Sequence, residues 1–377
     1  MKTIYFDNAA TSHYKPKCVQ RALVKALKNS ANPGRSGHKL SLINAIGVFG
    51  ARQIVAKHFG MKNAEGVIFT KNCTEALNLG LLGSVRPGGE VITTVWEHNS
   101  VLRPLSMLQK EGLIQLTFVG KNGKITANEI KEKISDKTYL VALTAMSNVT
   151  GYVPPLQEIG DLCSAQGIKL LLDGAQALGH VKIDVDKIGV DLLAGAGHKA
   201  LHGIMGTGFL LVGKRTFLTP LLYGGTGTES DQLSQPITPP EGLEAGTLNL
   251  PGISALNEGL RWTDAHFDKI NEHISELSFF LHSECEQIGI KTHSIAGSPI
   301  VTFSIKDRDS SEVADRLSAD YKIAVRAGLH CAPLAHKTLA TDTVGAVRAS
   351  IGSHNTMKEA KTLVRALREI ASTKSDK

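Results

Sequence analysis

The stretch KLLLDGAQ, residues 169–176, decides the fold. Lys169–Leu172 is a short run of the kind that forms a buried strand, and Asp173 follows it directly. The next such run is Asp191–Ala194, after which come Gly197, His198 and Lys199. Ligands of open α/β sheets bind at the carboxyl ends of strands. The sequence therefore predicts that Asp173 and Lys199 face one crevice.

Similar runs extend this pattern in both directions along the chain. Further strands are predicted at Val67–Thr70, Glu90–Val95, Tyr139–Ala145 and Gly208–Val212. Residues at helical spacing lie between them, for example Leu156, Ile159, Leu162 and Cys163. Alternating strands and helices predict an α/β fold whose mainly parallel sheet is sandwiched by helices.

A second, smaller unit follows an irregular Gly- and Pro-rich stretch at Tyr223–Pro251. After one helical segment near Leu256–His282, strands are predicted at Ser298–Ile305 and Ile323–Arg326, and a helix runs from Met357 to Ala371. We expect a large domain at 13–260. The segments 1–12 and 261–377 are expected to form a small α+β domain.

Composition excludes several classes of protein. The 377 residues are 42% hydrophobic, which excludes disorder, and no apolar run approaches the roughly 18 residues of a membrane span. The net charge of +7 comes from scattered residues, so we expect a solvated surface and no nucleic-acid partner. No signal-like apolar segment opens the chain, so a cytoplasmic location without membrane contact is expected. Five cysteines without a Cys-x-x-Cys pair support neither a disulfide framework nor a metal site.

Asp173 and Lys199 together suggest a cofactor. A lysine can form a Schiff base with the aldehyde of pyridoxal 5′-phosphate, and an acid can keep its pyridine nitrogen protonated. Taken alone, Asp173 is also compatible with a helix N-cap and Lys199 with a surface turn. Residues 195–200 match Gly-x-Gly-x-x-Ala, but further glycines follow at once and no acid lies between Asp191 and Glu229, which excludes dinucleotide binding.

Two further strand ends add candidate residues. Asn72, Cys73 and Thr74 open a helix after Val67–Thr70, and a helix N-terminus with a hydroxyl is a phosphate site. Thr74 as a simple N-cap is the alternative. His98 follows another strand, where it can stack on a ring or move protons, or be an ordinary loop histidine.

These residues belong to a longer series of motifs. The series consists of Tyr5–Ser12, Thr74–Asn78, Glu97–Ser100, Ser147–Gly151, Asp173–Gln176, Gly197–Lys199, Glu244–Thr247 and Arg326–Ala332. In this order the chain resembles the cysteine desulfurases and selenocysteine lyases, class V of the fold-type I pyridoxal-phosphate enzymes. The resemblance covers nearly the whole chain.

The resemblance implies a role for each candidate. Lys199 would bind the cofactor aldehyde, Asp173 its ring nitrogen and Gln176 its hydroxyl, and His98 would stack on the ring and assist proton transfer. The phosphate would be held by Thr74 and His198, with Cys73 beside them, and by Thr247 from the other subunit of a homodimer. Asn148, Arg348 and Arg326 would bind substrate. Ala196 departs from the family, since many relatives carry a phosphate-binding serine there, and Cys73 replaces a small or hydroxyl residue.

Cys331 is the distinguishing residue, because a desulfurase cysteine at this motif attacks the substrate sulfur as a thiolate. The implied reaction turns L-cysteine into alanine and leaves a persulfide on Cys331 for a sulfur-acceptor protein, such as an iron–sulfur scaffold. The alternatives are a buried structural role for Cys331, a selenocysteine lyase, another class V transaminase or lyase, and a non-catalytic sulfur scaffold.

Overall fold

The computed structural model describes residues 3–33 and 36–373. The elements in chain order are β1 (Ile4–Tyr5), α1 (Lys17–Lys28), α2 (Lys39–His58), β2 (Val67–Thr70), α3 (Cys73–Gly83), β3 (Gly89–Thr94), α4 (Asn99–Lys110), β4 (Ile114–Val119), α5 (Ala127–Lys133), β5 (Thr138–Thr144), α6 (Leu156–Gln166), β6 (Lys169–Asp173), α7 (Val185–Ile188), β7 (Leu192–Ala196) and β8 (Gly208–Val212). They continue with α8 (Leu250–Ala265), α9 (Phe267–Gln287), β9 (Lys291–Thr292), β10 (Ile300–Ser304), α10 (Ser310–Tyr321), β11 (Ile323–Ala324), β12 (Arg326–Gly328), α11 (Pro333–Thr338), β13 (Ala346–Ser350) and α12 (Met357–Ser372).

Seven strands form the main sheet, in the order β2-β8-β7-β6-β5-β3-β4. The pairs of β8 with β2 and β7 are antiparallel and the other pairs are parallel, which confirms the predicted mainly parallel sheet. Asp173 is the last residue of β6 instead of the first residue after it, and it lies opposite Thr144 and Ala194. The sheet therefore fixes where this carboxylate sits.

Helices cover both faces of this sheet. Leu170 and Leu172 of β6 point into a core shared with α2, α6 and α8, and Leu171 points into a core shared with α3 and α4. Successive side chains of a strand face opposite sides, so a strand covered on both sides must be apolar throughout. This packing is why the central runs are continuously apolar.

Four elements of the large sheet unit were not predicted: helix α2, strand β4 and the short helices α5 and α7. Helix α2 carries apolar residues around most of its circumference, so it shows no single stripe at helical spacing. Strand β4 alternates Ile114, Leu116 and Phe118 with polar residues and lies at the sheet edge. Both patterns are weaker than the apolar runs of the central strands.

A second core joins the N-terminal strand to the C-terminal part of the chain. Phe6 is fully buried with residues of α9, α10, α12, β10 and β13. The sheet β12-β13-β10-β9 is antiparallel, and β1 pairs with β11 in parallel. The predicted strand Ile323–Arg326 is in fact β11 and β12, which belong to different sheets. The predicted helical segment 256–282 is α8 and α9, which meet at His266. The boundaries at 12/13 and 260/261 stay predictions.

Across residues 3–33 and 36–373, no helix is both long and apolar enough to cross a membrane.

Candidate active site

The carboxyl ends of β2, β3, β6 and β7 meet around one cavity of about 100 Å³. Its walls include Asn72, Cys73, Thr74, His98, Ser100, Thr144, Asn148, Asp173, Gln176, Ala196, His198 and Lys199. Since parallel strands end at the same edge, residues that are far apart in sequence meet here. The predicted crevice is present, and both Asp173 and Lys199 line it.

Asp173 and Lys199 influence each other electrostatically. Burial lowers the pKa of the Lys199 amine, and the Asp173 carboxylate opposes that shift. Asp173 Oδ1 accepts hydrogen bonds from the backbone N–H of Ala175 at 2.9 Å and from the Cys73 thiol at 3.6 Å. The next α-helix after Asp173 begins only at Val185 and is capped by Asp184, so Asp173 is not a helix N-cap. Within the described chain Oδ2 accepts no hydrogen bond, which leaves it available to a ligand.

The start of α3 forms a second wall. Asn72 caps this helix by accepting a hydrogen bond from the Glu75 backbone N–H at 2.8 Å, so Thr74 is not the N-cap. Thr74 Oγ1 lies 2.8 Å from Ser100 Oγ, within hydrogen-bond distance. Cys73 is buried, and burial followed by the Asp173 charge raises the pKa of its thiol well above the usual value. Cys73 is thus a protonated donor beside Asp173.

His98 caps α4 through its ring. Nδ1 accepts a hydrogen bond from the Ser100 backbone N–H at 3.1 Å, so Nε2 carries the proton of the neutral ring. Burial, together with the Lys199, Arg326 and Arg348 charges, lowers the His98 pKa to about 4, and the Asp173 carboxylate opposes that shift. The imidazole is therefore neutral at pH 7 and lines the cavity.

Arg348 lies in β13 at the border of the cavity, 1% exposed. Its Nη1 donates to the Asn148 backbone oxygen at 3.0 Å, and its Nη2 pairs with Asp7 Oδ1 at 3.2 Å. Nε is buried with no hydrogen-bond partner in the described chain. Burial lowers the Arg348 pKa to about 10, so the group remains a cation at neutral pH. An incompletely paired buried cation is suited to an anionic ligand.

Cys331 lies in a tight loop next to this arginine. His330 and Cys331 both have left-handed backbones, with φ of 50° and 57°. Such residues cost about 1–3 kcal/mol each, so surrounding contacts must hold them. The Cys331 carbonyl accepts from the Asn99 N–H at 2.7 Å, and Asn148 Nδ2 donates to the His330 carbonyl at 2.8 Å. Arg326 Nη2 donates a hydrogen bond to Cys331 Sγ at 3.3 Å.

The structure brings together most of the predicted site residues. Lys199, Asp173, Gln176, His98, Cys73, Thr74, His198 and Asn148 line the cavity. Arg326 and Arg348 lie close enough to lower the Lys199 pKa. Cys331 is connected to the cavity wall by the hydrogen bond from the Asn99 backbone N–H to its carbonyl. Thr247 is not brought to this cavity: it is exposed and lines another pocket with Lys71 and Glu75.

Sequence reasoning did not single out Ser100, Thr144 or Asp7 as residues of the site. Ser100 lies inside the quoted motif Glu97–Ser100, and its position in the first turn of α4 was the available signal. Asp7 also lies in a quoted motif, but its partner Arg348 is 341 residues away in the chain. No local pattern indicates that pairing.

The cavity combines three groups that a pyridoxal-phosphate enzyme needs. They are a lysine amine of lowered pKa, a carboxylate with one available oxygen and a neutral imidazole. The fit extends to His198, whose Nδ1 is buried with no partner in the described residues. An acceptor in the cavity, such as a phosphate oxygen, would satisfy that nitrogen if it carries the proton. The fold and the site thus define the class of the protein.

Comparison with known proteins identifies the family within this class. The sequence matches the family described as Aminotransferase class-V over residues 4–363. A probable cysteine desulfurase of Pyrococcus abyssi is 32% identical, covering 98% of this chain and 94% of the relative. One from Methanothermobacter thermautotrophicus is 34% identical with the same coverage. The apo structure of a cysteine desulfurase from Thermococcus onnurineus NA1 superposes with a TM-score of 0.90 at 31% identity, covering 98% of this chain and 94% of that one. The chain belongs to the class-V aminotransferase family, and its cofactor is pyridoxal 5′-phosphate.

Proposed function

We propose that this protein is a cysteine desulfurase, which converts L-cysteine to L-alanine and leaves the sulfur as a persulfide on Cys331. The observation that carries the proposal is the position of Cys331. Its thiol accepts a hydrogen bond from the Arg326 guanidinium, and its backbone is bonded to Asn99, next to the cavity residue His98. The names of the relatives support the same activity.

Different cavity residues would bind different parts of the cofactor. Lys199 would bind the aldehyde, Asp173 would pair with the ring nitrogen through Oδ2, and His98 would lie against the ring. Thr74 and His198 would hold the phosphate at the N-terminus of α3, where backbone N–H groups favour an anion. Gln176 lines the cavity and would bond the ring hydroxyl, and its Nε2 donates to the Ala9 carbonyl at 3.0 Å. When bound, the cofactor withdraws electrons from the substrate α-carbon.

Lys199 and the substrate-binding residues act on the amino acid itself. The partly unpaired Arg348 would bind the α-carboxylate, and Asn148 borders the same place. The lowered pKa of Lys199 leaves more of its amine unprotonated near neutral pH, so that the amine can accept the α-proton. The same amine can return the proton when alanine forms.

The sulfur step needs no external oxidant or reductant. The Cys331 thiolate forms an S–S bond to the sulfur of L-cysteine as the Cβ–S bond breaks, and the electron pair of that bond remains on the three-carbon fragment. Protonation of that fragment at Cβ and Cα gives L-alanine. The balance is one L-cysteine and one enzyme thiol consumed, one L-alanine and one enzyme persulfide formed.

Replacement of the nucleophile tests this proposal. Cys331→Ala should keep bound cofactor and exchange of the α-proton of L-alanine with D₂O, because those depend on the cavity. Alanine release from L-cysteine and persulfide detected by mass spectrometry should both disappear. Cys18→Ala is the matched control, because Cys18 lies on α1 and does not line the cavity. Alanine release at the wild-type rate by Cys331→Ala would exclude Cys331 as the nucleophile.

A homodimer is also part of the proposal. Helix α2 exposes Leu42, Ile43, Ile46 and Phe49, which together form an apolar face. Thr247 lies away from the cavity of its own chain, as expected for a residue that serves a partner's cofactor. A second copy of the chain over this face would bury it and bring Thr247 to a cavity.

We further propose that the persulfide passes to a thiol of an acceptor protein, since thiol exchange releases sulfur from a persulfide under mild conditions. All five cysteines are free, which supports a reducing, cytoplasmic location. The division into a large domain at 13–260 and a small domain at 1–12 and 261–377 is proposed as well, because most elements of the two groups pack in different cores. Helix α11 with its N-cap residue is the exception, since Ala332 and Ala335 pack in the core of the large sheet.

A further inference from the structure

Two buried histidines that the reaction does not use lie in the Cys331 loop and on α11, the helix that follows it. His330 is 2% exposed and His336, on α11, is 0% exposed. Their rings stack with centroids 5.3 Å apart, and His330 Nδ1 lies 3.1 Å from His336 Nε2. His336 Nδ1 lies 2.8 Å from Thr341 Oγ1. These three side chains form one continuous hydrogen-bonded chain.

The backbone determines which atom carries each proton. His330 Nε2 lies 3.2 Å from the Arg326 carbonyl oxygen, which can only accept, so Nε2 carries the proton. Burial lowers the pKa of His330 to about 2 and that of His336 to about 4, so both rings are neutral. His330 Nδ1 must then accept from His336 Nε2, and His336 Nδ1 accepts from the Thr341 hydroxyl. Every polar atom of both rings is satisfied in this one arrangement.

The chain of bonds ends on the residues that hold the nucleophile. The Arg326 carbonyl accepts from His330, and the Arg326 guanidinium donates to Cys331 Sγ. His330 and Cys331 are the two consecutive left-handed residues of the loop. The hydrogen bond from the His330 ring to the Arg326 carbonyl holds the two ends of the turn together. The direction of the Cys331 thiol therefore depends on the contacts that hold the His330 ring in place.

We propose that His336 is a positioning residue for the desulfurase nucleophile: it donates to His330, and with Thr341 behind it fixes the Arg326–Cys331 turn and the direction of the thiol. This inference rests on the proposed function of Cys331. The residue acts through His330 and touches neither the substrate nor the cofactor cavity.

Two amide substitutions of His336 distinguish the contribution of its Nε2 contact from that of its Nδ1 contact. The glutamine amide nitrogen lies close to the position of Nε2, so His336→Gln keeps a donor for His330. The asparagine amide lies close to the position of Nδ1, so His336→Asn keeps the Thr341 contact and leaves His330 Nδ1 without a donor. Both variants place a neutral amide in the same buried space, which makes them matched controls for folding.

The assays are the rate of Cys331 alkylation by iodoacetamide and the first-turnover release of alanine from L-cysteine by the holoenzyme. We expect His336→Asn to change the alkylation rate and to slow first turnover by about tenfold, the size of one lost buried hydrogen bond. His336→Gln should stay within about threefold of wild type in both. Cofactor content and α-proton exchange of L-alanine should be unchanged in both variants.

Three results would overturn the proposal. Equal rates for His336→Asn, His336→Gln and wild type would show that the contact to His330 positions nothing. Parallel loss of α-proton exchange and thermal stability in His336→Asn would make it a general folding element. Equal loss in both variants would show that the donor to His330 is not what matters. Failure of the Cys331 assignment would appear separately, in the Cys331→Ala variant, while the alkylation comparison still reports on the loop.

Discussion

Replacement of Arg348 by lysine tests the substrate-binding side of the site. Arg348 uses Nη1 for the Asn148 carbonyl and Nη2 for Asp7, and its buried Nε has no partner in the described residues. A carboxylate can take a bidentate pair of bonds from a guanidinium, whereas a lysine ammonium offers only a point charge. Arg348→Lys therefore keeps the positive charge and removes the fork.

The expected magnitude follows from the loss of one charge-assisted hydrogen bond. Such a bond contributes about 1.5–3 kcal/mol, which corresponds to a fall in kcat/KM for L-cysteine of roughly 10- to 150-fold. Cysteamine has the amine and thiol of cysteine but no carboxylate. Its inhibition constant should change by less than about threefold, because it never used the fork.

The assay compares kcat/KM for L-cysteine with the inhibition constant of cysteamine in wild type and variant. Arg308→Lys is the matched control: Arg308 is also buried, but it pairs with Glu312, contacts Thr373 and does not line the cavity. Weakening of both ligands by the same factor in Arg348→Lys would refute carboxylate recognition. Arg348 would then act by holding Asp7 and Asn148 in place.

Two further predictions concern buried groups around Asp173. Burial raises the pKa of Glu97 from 4.5 to about 8, so its stabilising contribution is complete below pH 4.5 and is lost as the pH rises to about 8. Glu97→Gln keeps an oxygen for Thr94 and Thr144 but cannot ionise, so it should lose less melting temperature than wild type between pH 5 and pH 9; equal losses would contradict the assignment. Cys73→Ala removes a thiol donor to Asp173 and should weaken cofactor binding by roughly 2- to 10-fold, the range for one typical hydrogen bond, because the thiol is a weak donor. The measurement is the dissociation constant from absorbance titration. Cys18→Ala should bind as wild type does, and unchanged affinity in Cys73→Ala would show that the thiol does not orient Asp173.

The sequence by itself determined the sheet and the site residues that lie at the ends of its strands. Continuous apolar runs indicate strands that are covered on both faces. The residue that follows each run must lie at the carboxyl end of that strand, so its position can be read from the sequence. Asp173, Lys199, Thr74 and His98 could therefore be assigned to one crevice before any coordinates were known. The resemblance to the desulfurases added Cys331, Arg348 and the implied partner role of Thr247.

Only the tertiary structure decided which groups meet across long separations. The pairing of Arg348 with Asp7 depends on the backbone bridge between Asp7 and Ser350, which joins the two ends of the chain. The bond from Asn99 to the Cys331 carbonyl joins the start of α4 to the loop that carries the cysteine. The contact between His330 and His336 joins residues that are close in sequence, but it lies at a loop in which both His330 and Cys331 have positive φ, which is uncommon for residues other than glycine. Strand burial is a local property of the chain, whereas the direction of a buried polar side chain is settled by the partners that the whole fold brings to it.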